Sequence, residues 1–132
     1  MKIKEGDVLF IPSSNKFGLA KVIFCSKYFK DVILIKLYCD SYEEPKLTNA
    51  LNNDEYVLYY TGKDSARKGK WLNAGFEEVS DYERKLSKRI VGGDVWEEDN
   101  HIGPASENEL SSIKKMQTYG YRLIEEAVTK LK

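Results

Sequence analysis

An α+β fold is predicted for this 132-residue chain: a mainly antiparallel, strongly curved β-sheet or small barrel with a C-terminal helix packed on it. Three observations lead there. Asp7 to Pro12, Phe17 to Ser26, Val32 to Cys39 and Glu55 to Gly62 are rich in Val, Ile, Leu, Phe and Tyr and are separated by turn residues, so they read as strands. The first two links, Pro-Ser-Ser-Asn-Lys and Lys-Tyr-Phe-Lys-Asp, are short enough for hairpins and favour antiparallel pairing of consecutive strands. Near the other end, Ser106 and Glu109 form an S-x-x-E capping box just after Pro104, at the head of a helical pattern.

The bulk properties bound the rest. A hydrophobic share of 42% and a charged share of 32% are those of a globular chain, and the length fits one domain over residues 1–132, with a β-rich part (1–96) and a C-terminal helical part (106–131). The 21 basic and 21 acidic residues cancel, so no global field draws in nucleic acid or an anionic membrane, and electrostatic recognition has to be local. Met-Lys-Ile-Lys-Glu-Gly-Asp at the start lacks the apolar run of a secretory signal. The longest apolar stretch, Val32 to Cys39, is strand-sized and contains Lys36, which argues against a membrane span. Cys25 and Cys39 lie in apolar runs and read as a reduced pair, which with the missing signal predicts a cytoplasmic protein.

Along the chain, the second and third strands carry apolar residues at both parities, as strands covered on both faces do, and are expected at the centre of the sheet. Asp40 to Asp54, with Pro45 and Asn52-Asn53, reads as a long loop, and Lys63 to Lys70 as a basic exposed loop. Weaker strand signals follow at Trp71, Phe76 to Val79 and Ser87 to Val91. After the capping box, Leu110, Ile113, Met116, Ile124, Ala127, Val128 and Leu131 share one stripe, expected to pack on the sheet. Gly120 interrupts it at about 1 kcal/mol relative to Ala; it either permits close approach of helix to sheet or separates two shorter helices.

Residues that could carry chemistry are sparse. His101, the single histidine, has no Ser or Cys partner in a recognisable context, and a reactive thiol would need an electropositive, exposed site that Cys25 and Cys39 lack. Glu97, Glu98, Asp99, Asn100 and His101 offer ligands without the spacing of a calcium or zinc site, and Gly92-Gly93 reads as a turn, lacking the helix of a phosphate loop. No metal, cofactor or catalytic residue is therefore assigned. Arg67, Lys68 and Lys70 with Arg84, Lys85, Lys88 and Arg89 could form a basic stripe, balanced by neighbouring acids. More suggestive is an aromatic set among carboxylates: Tyr42 beside Glu43 and Glu44, Tyr82, and Trp96 with Asp94, Glu97, Glu98 and Asp99. Such rings give contact area at low entropic cost, and an acidic rim would orient a basic partner; the plainer reading tucks each ring into the edge of the core.

Gly6-Asp7-Val8-Leu9-Phe10-Ile11-Pro12 followed by Phe17-Gly18-Leu19-Ala20-Lys21-Val22-Ile23 resembles the opening two strands of the immunity protein 26 family, bacterial antidotes to polymorphic toxins. The similarity continues through Val32 to Cys39 and Lys70-Trp71 as far as Gly75; the family usually has Gly and Arg where this chain has Ala20 and Lys21. The resemblance implies an inhibitor without catalysis that binds and neutralises a cognate toxin domain; the chain itself is expected to be a monomer or a weak homodimer. The rival expectation is an SH3-like barrel module that binds nucleic acid or a transcription complex through Arg67, Lys68 and Lys70. Neither expectation involves a membrane.

Overall fold

A computed structural model describes residues 2–44, 51 and 55–131. The four predicted strands form as Asp7–Pro12 (β1), Phe17–Cys25 (β2), Val32–Tyr42 (β3) and Tyr56–Gly62 (β4), each antiparallel to the next. The third runs through Asp40 to Tyr42, which were expected in a loop; of the rest of that expected loop, 45–50 and 52–54, with Pro45 and Asn52-Asn53, lie outside the described residues. Leu72–Phe76 (β5) pairs with β1, and Thr118–Tyr119 (β9) joins β4 in parallel, giving the order β5-β1-β2-β3-β4-β9. The expected barrel is absent, because β5 and β9 end the sheet on opposite edges without meeting; the sheet is open and not strongly curled.

A second, three-stranded sheet contains Arg89–Val91 (β6), within the strand signal at Ser87 to Val91, and Asp94–Glu97 (β7) and Asn100–Pro104 (β8), which run through the acidic stretch Glu97 to His101 where no strand is predicted. Gly92 and Gly93, with φ of 59° and 87°, supply the two positive-φ residues of the tight turn between β6 and β7. The expected basic loop contains a helical turn, Ser65–Lys68 (α1), with Ser65 and Ala66 buried. A further helix, Asp81–Lys85 (α2), opens on its own capping box at Ser80 and Glu83.

The predicted C-terminal stripe divides. Glu107–Ser112 (α3) buries no residue and Leu110 is 47% exposed, while Met116 joins a different apolar cluster from the rest. Gly120 separates this short helix from Tyr121–Thr129 (α4) and serves as its N-cap. Ile124 and Val128, with Ala127 and Leu131 beside them, pack on one face of the large sheet, in a cluster with Leu9, Ile11, Val22, Ile35 and Leu37, while Met116 lies against the other. Each fully buried aliphatic side chain contributes about 1.5–3 kcal/mol. Gly18 permits the approach, since a Cβ there would lie 2.7 Å from Val128 Cγ2. Hydrogen bonds from the Ser13 and Thr129 hydroxyls to each other, and from Lys16 Nζ to the Leu131 carbonyl, pin the end of α4 to the first hairpin.

The opposite face of the sheet explains the mixed parity of β2 and β3. Val8, Phe10, Leu19 and Tyr38 form one apolar cluster, and Ile23, Phe24, Leu34, Tyr60 and Val79 form another. Between them the register sets Lys21 directly opposite Lys36, both almost wholly buried. Two ammonium groups facing each other inside a protein repel unless an anion lies between them. Glu83 of α2 provides it: Oε1 is 2.8 Å from Lys21 Nζ and Oε2 is 3.0 Å from Lys36 Nζ.

Candidate functional site

The predicted aromatic residues do not converge. Tyr42 pairs with Phe17 at one end of the β2–β3 hairpin, whereas Trp96 packs on the turn at the other end, roughly 30 Å away for strands of this length. Tyr42 lies edge-on to Phe10, 6.1 Å between centroids, in the apolar cluster with Phe17, Leu51 and Ala74, and burial followed by the charge of Asp40 raises its hydroxyl pKa. It belongs to the edge of the core; Glu43 and Glu44 beside it face solvent. Tyr82 is 65% exposed on α2, its hydroxyl 3.3 Å from that of Tyr56. That contact, more than burial, pushes the Tyr56 hydroxyl up to about 12.

Trp96 stands in a cluster of its own. Alternation along β7 turns Val95 inward, where it is 1% exposed, and leaves Trp96 half-buried on the other face. There it meets Tyr28 at 4.9 Å, Phe29 at 5.3 Å and His101, its partner on β8, at 5.1 Å. Asp94 Oδ2 lies 2.7 Å from His101 Nε2 and orients the imidazole. Tyr28 is 65% exposed, so the cluster reaches solvent. Sequence reasoning misses Tyr28 and Phe29; the available signal was two adjacent aromatics in a hairpin turn, where side chains are seldom covered.

The acids around Trp96 are chiefly fasteners. Asp99 accepts hydrogen bonds from Ser26 Oγ at 2.6 Å and the Lys27 backbone N–H at 2.7 Å, clamping the β2–β3 turn to the β7–β8 turn. Burial raises the Asp99 pKa, but these bonds, another from the Tyr28 backbone and the charge of Arg89 outweigh it and hold the group below its ordinary value. Glu98, at φ 54°, donates its backbone N–H to Ser87 Oγ and accepts from Arg89 Nη1, and its carboxylate is 4.0 Å from Arg84 Nη1. Glu97 is half-buried at the end of β7. The result is a rigid platform, since every ring is buttressed by another ring or by a bonded turn.

The buried cations have partners too. Lys21 Nζ donates to Glu77 Oε1 at 2.7 Å, Glu83 Oε1 at 2.8 Å and the Glu78 carbonyl at 2.9 Å, so its three N–H bonds are all engaged. Lys36 Nζ bonds Glu83 Oε2 and stands over the Tyr56 ring, 4.8 Å from its centroid. Burial of Glu83 raises its pKa, yet hydrogen bonds from Lys21, the Ser80 backbone and Lys36 bring it down to about 2. Burial, then Glu5, pushes the Cys25 thiol up to about 11, far from the thiolate a nucleophile needs. In the predicted basic stretch, Lys68 is paired with Asp64 at 3.0 Å. Among the described residues no three His, Cys, Asp or Glu side chains converge on a point where a metal ion could sit, and no helix is long and apolar enough to cross a membrane. Comparison of the chain with family models, curated proteins and solved structures returned no match.

Proposed function

We propose that this chain is a cytoplasmic binding protein that neutralises a toxin domain by covering it, with the face built on Trp96 as the centre of its interface. The observation that carries the reading is the preorganised ring cluster: Trp96 is fixed between Tyr28, Phe29 and His101 while Tyr28 remains largely exposed. Rigid aromatic anchors bind at low entropic cost and dominate interface energetics. Asp94 at the margin gives the face an acidic element that suits a basic partner surface. The resemblance of β1 and β2 to the immunity protein 26 family supplies the partner class. Catalysis is a weaker reading because Lys21, Lys36 and Glu83 are mutually paired in the interior. The barrel on which the nucleic-acid alternative rests is not formed.

The test is copurification of the tagged chain with the product of the adjacent open reading frame in its own bacterium, using Trp96→Ala, Tyr28→Ala and Tyr42→Ala variants. Capture of a domain that is lethal without this chain, lost in the Trp96 and Tyr28 variants and kept in the Tyr42 variant, is the expected result. Recovery of nucleic acid, or capture indifferent to Trp96, overturns it. Size-exclusion chromatography of the free chain separates the monomer from the weak dimer.

A further inference from the structure

Away from the Trp96 face, the segment 113–117 bridges the two sheets. Ile90 of β6 donates its N–H to the Lys114 carbonyl and accepts from the Met116 N–H, after which the chain enters β9 beside β4. Beneath this bridge lies a concavity of about 360 Å³, at the lower end of the range for small-molecule pockets. Leu58, Tyr60, Leu86 and Ile113 give it an apolar lining. Lys85, Lys88, Lys114 and Lys115 add four exposed ammonium groups, and Arg89 adds a buried guanidinium.

That composition is unusual for a chain whose charges cancel. Among the described residues, cations line this concavity and no carboxylate does. Glu109 lies close enough to feel Lys88, but its side chain is engaged with Ser106 in the α3 capping box. Arg89 is also incompletely partnered. Its Nη1 donates to the Ser87 and Glu98 carbonyls, whereas Nε and Nη2, the side-on fork that matches a carboxylate, meet no acceptor among the described residues. Ring faces of Phe24, Phe29 and Tyr60, with centroids 5.4–5.6 Å from the guanidinium carbon, pack around it, and the two unpartnered nitrogens are themselves buried.

We infer that this groove binds a small amphipathic carboxylate, an apolar body seated against Leu58, Leu86 and Ile113 with its anionic head among the lysines and Arg89. The groove is separate from the toxin-binding face in its four lysines, none of which belongs to the Trp96 cluster, and adjoins that cluster only through Arg89, which stacks on Phe29 and pairs with Trp96 in the β6–β7 register. Titration of the ¹⁵N-labelled full chain with decanoate, acetate and decanol, followed by amide shifts, separates the contributions. Decanoate is expected to bind saturably with shifts centred on Leu58, Leu86 and Ile113, and acetate and decanol at least about tenfold more weakly. A Lys114→Glu/Lys115→Glu double variant should weaken decanoate by about tenfold or more with its spectrum otherwise intact, and Lys88→Gln by less. Decanol binding as tightly as decanoate, acetate binding as tightly, shifts centred on Trp96, or affinity unchanged in both lysine variants would each overturn the proposal.

Discussion

The chain contains the same four-residue helix start twice, and the two copies have different fates. Ser80-Asp81-Tyr82-Glu83 and Ser106-Glu107-Asn108-Glu109 both close reciprocal capping boxes, with near-identical lengths: 3.0 Å from the Ser80 N–H to Glu83 and 3.1 Å back, against 3.0 Å and 3.2 Å in the second. Locally they are interchangeable. In the fold they are not, because Glu83 is 5% exposed and bridges two buried ammonium groups, while α3 buries nothing. A carboxylate needed for a cap can thus also neutralise a core, and the local motif does not reveal which copy does so.

Removing the carboxylates separates the two roles most strongly. Glu83→Ala leaves Lys21 and Lys36 facing each other without their shared anion and is expected to destabilise by about 3–5 kcal/mol in urea unfolding, whereas Glu109→Ala should leave the midpoint close to wild type. A Glu83→Ala loss no larger than that of an ordinary cap would show that the lysines find other partners. Acid gives the next largest contrast. The folded pKa of Glu83 is depressed from 4.5 to about 2, so its contribution is fully present above the unfolded value and is lost as pH falls through the folded one. Wild type should therefore lose stability between about pH 4.5 and 2 more steeply than Glu83→Gln, and parallel acid curves would refute the assignment. Ser80→Ala and Ser106→Ala remove only the caps and should each cost about 1 kcal/mol or less, the second visible mainly as faster amide exchange in α3. Gly18→Ala tests the other face of the sheet: its Cβ would press on Val128, so α4 should loosen, with raised exchange at Ile124 and Val128 and the Glu83 network unchanged.

What the sequence discloses follows the range of the interactions. The strands from β1 to β4 are legible because apolar runs and turn residues are local signals, and the Ser106 cap is legible for the same reason. Helix α2 escapes notice because its five residues show no apolar stripe, although its Ser80 and Glu83 repeat the motif recognised at Ser106. The β7–β8 hairpin escapes because its turn sits at Glu98 and Asp99, residues that read as solvated acid, while the bonds that order them come from Ser26, Lys27 and Ser87 far back along the chain. Lys36 in an apolar run was visible as an exception; its partner, 47 residues away, was not. At the candidate site Trp96 and its acids were identified, but Tyr28 and Phe29 reach it only through the docking of one hairpin turn on another.

The late position of α4 bears on how the protein is made. The side of β1, β2 and β3 that carries Leu9, Ile11, Val22 and Ile35 is covered only in part, by Ala66 and Trp71, until Ile124 and Val128 have been synthesised, and β9 reaches β4 from 58 residues away through the Thr61–Tyr119 hydrogen bond. On the ribosome, residues up to Gly120 therefore emerge as a sheet with one adhesive side, and completion of the core waits for α4 to clear the exit tunnel. A nascent chain stalled before Tyr121 should be held by chaperones, and one released after Thr129 should not.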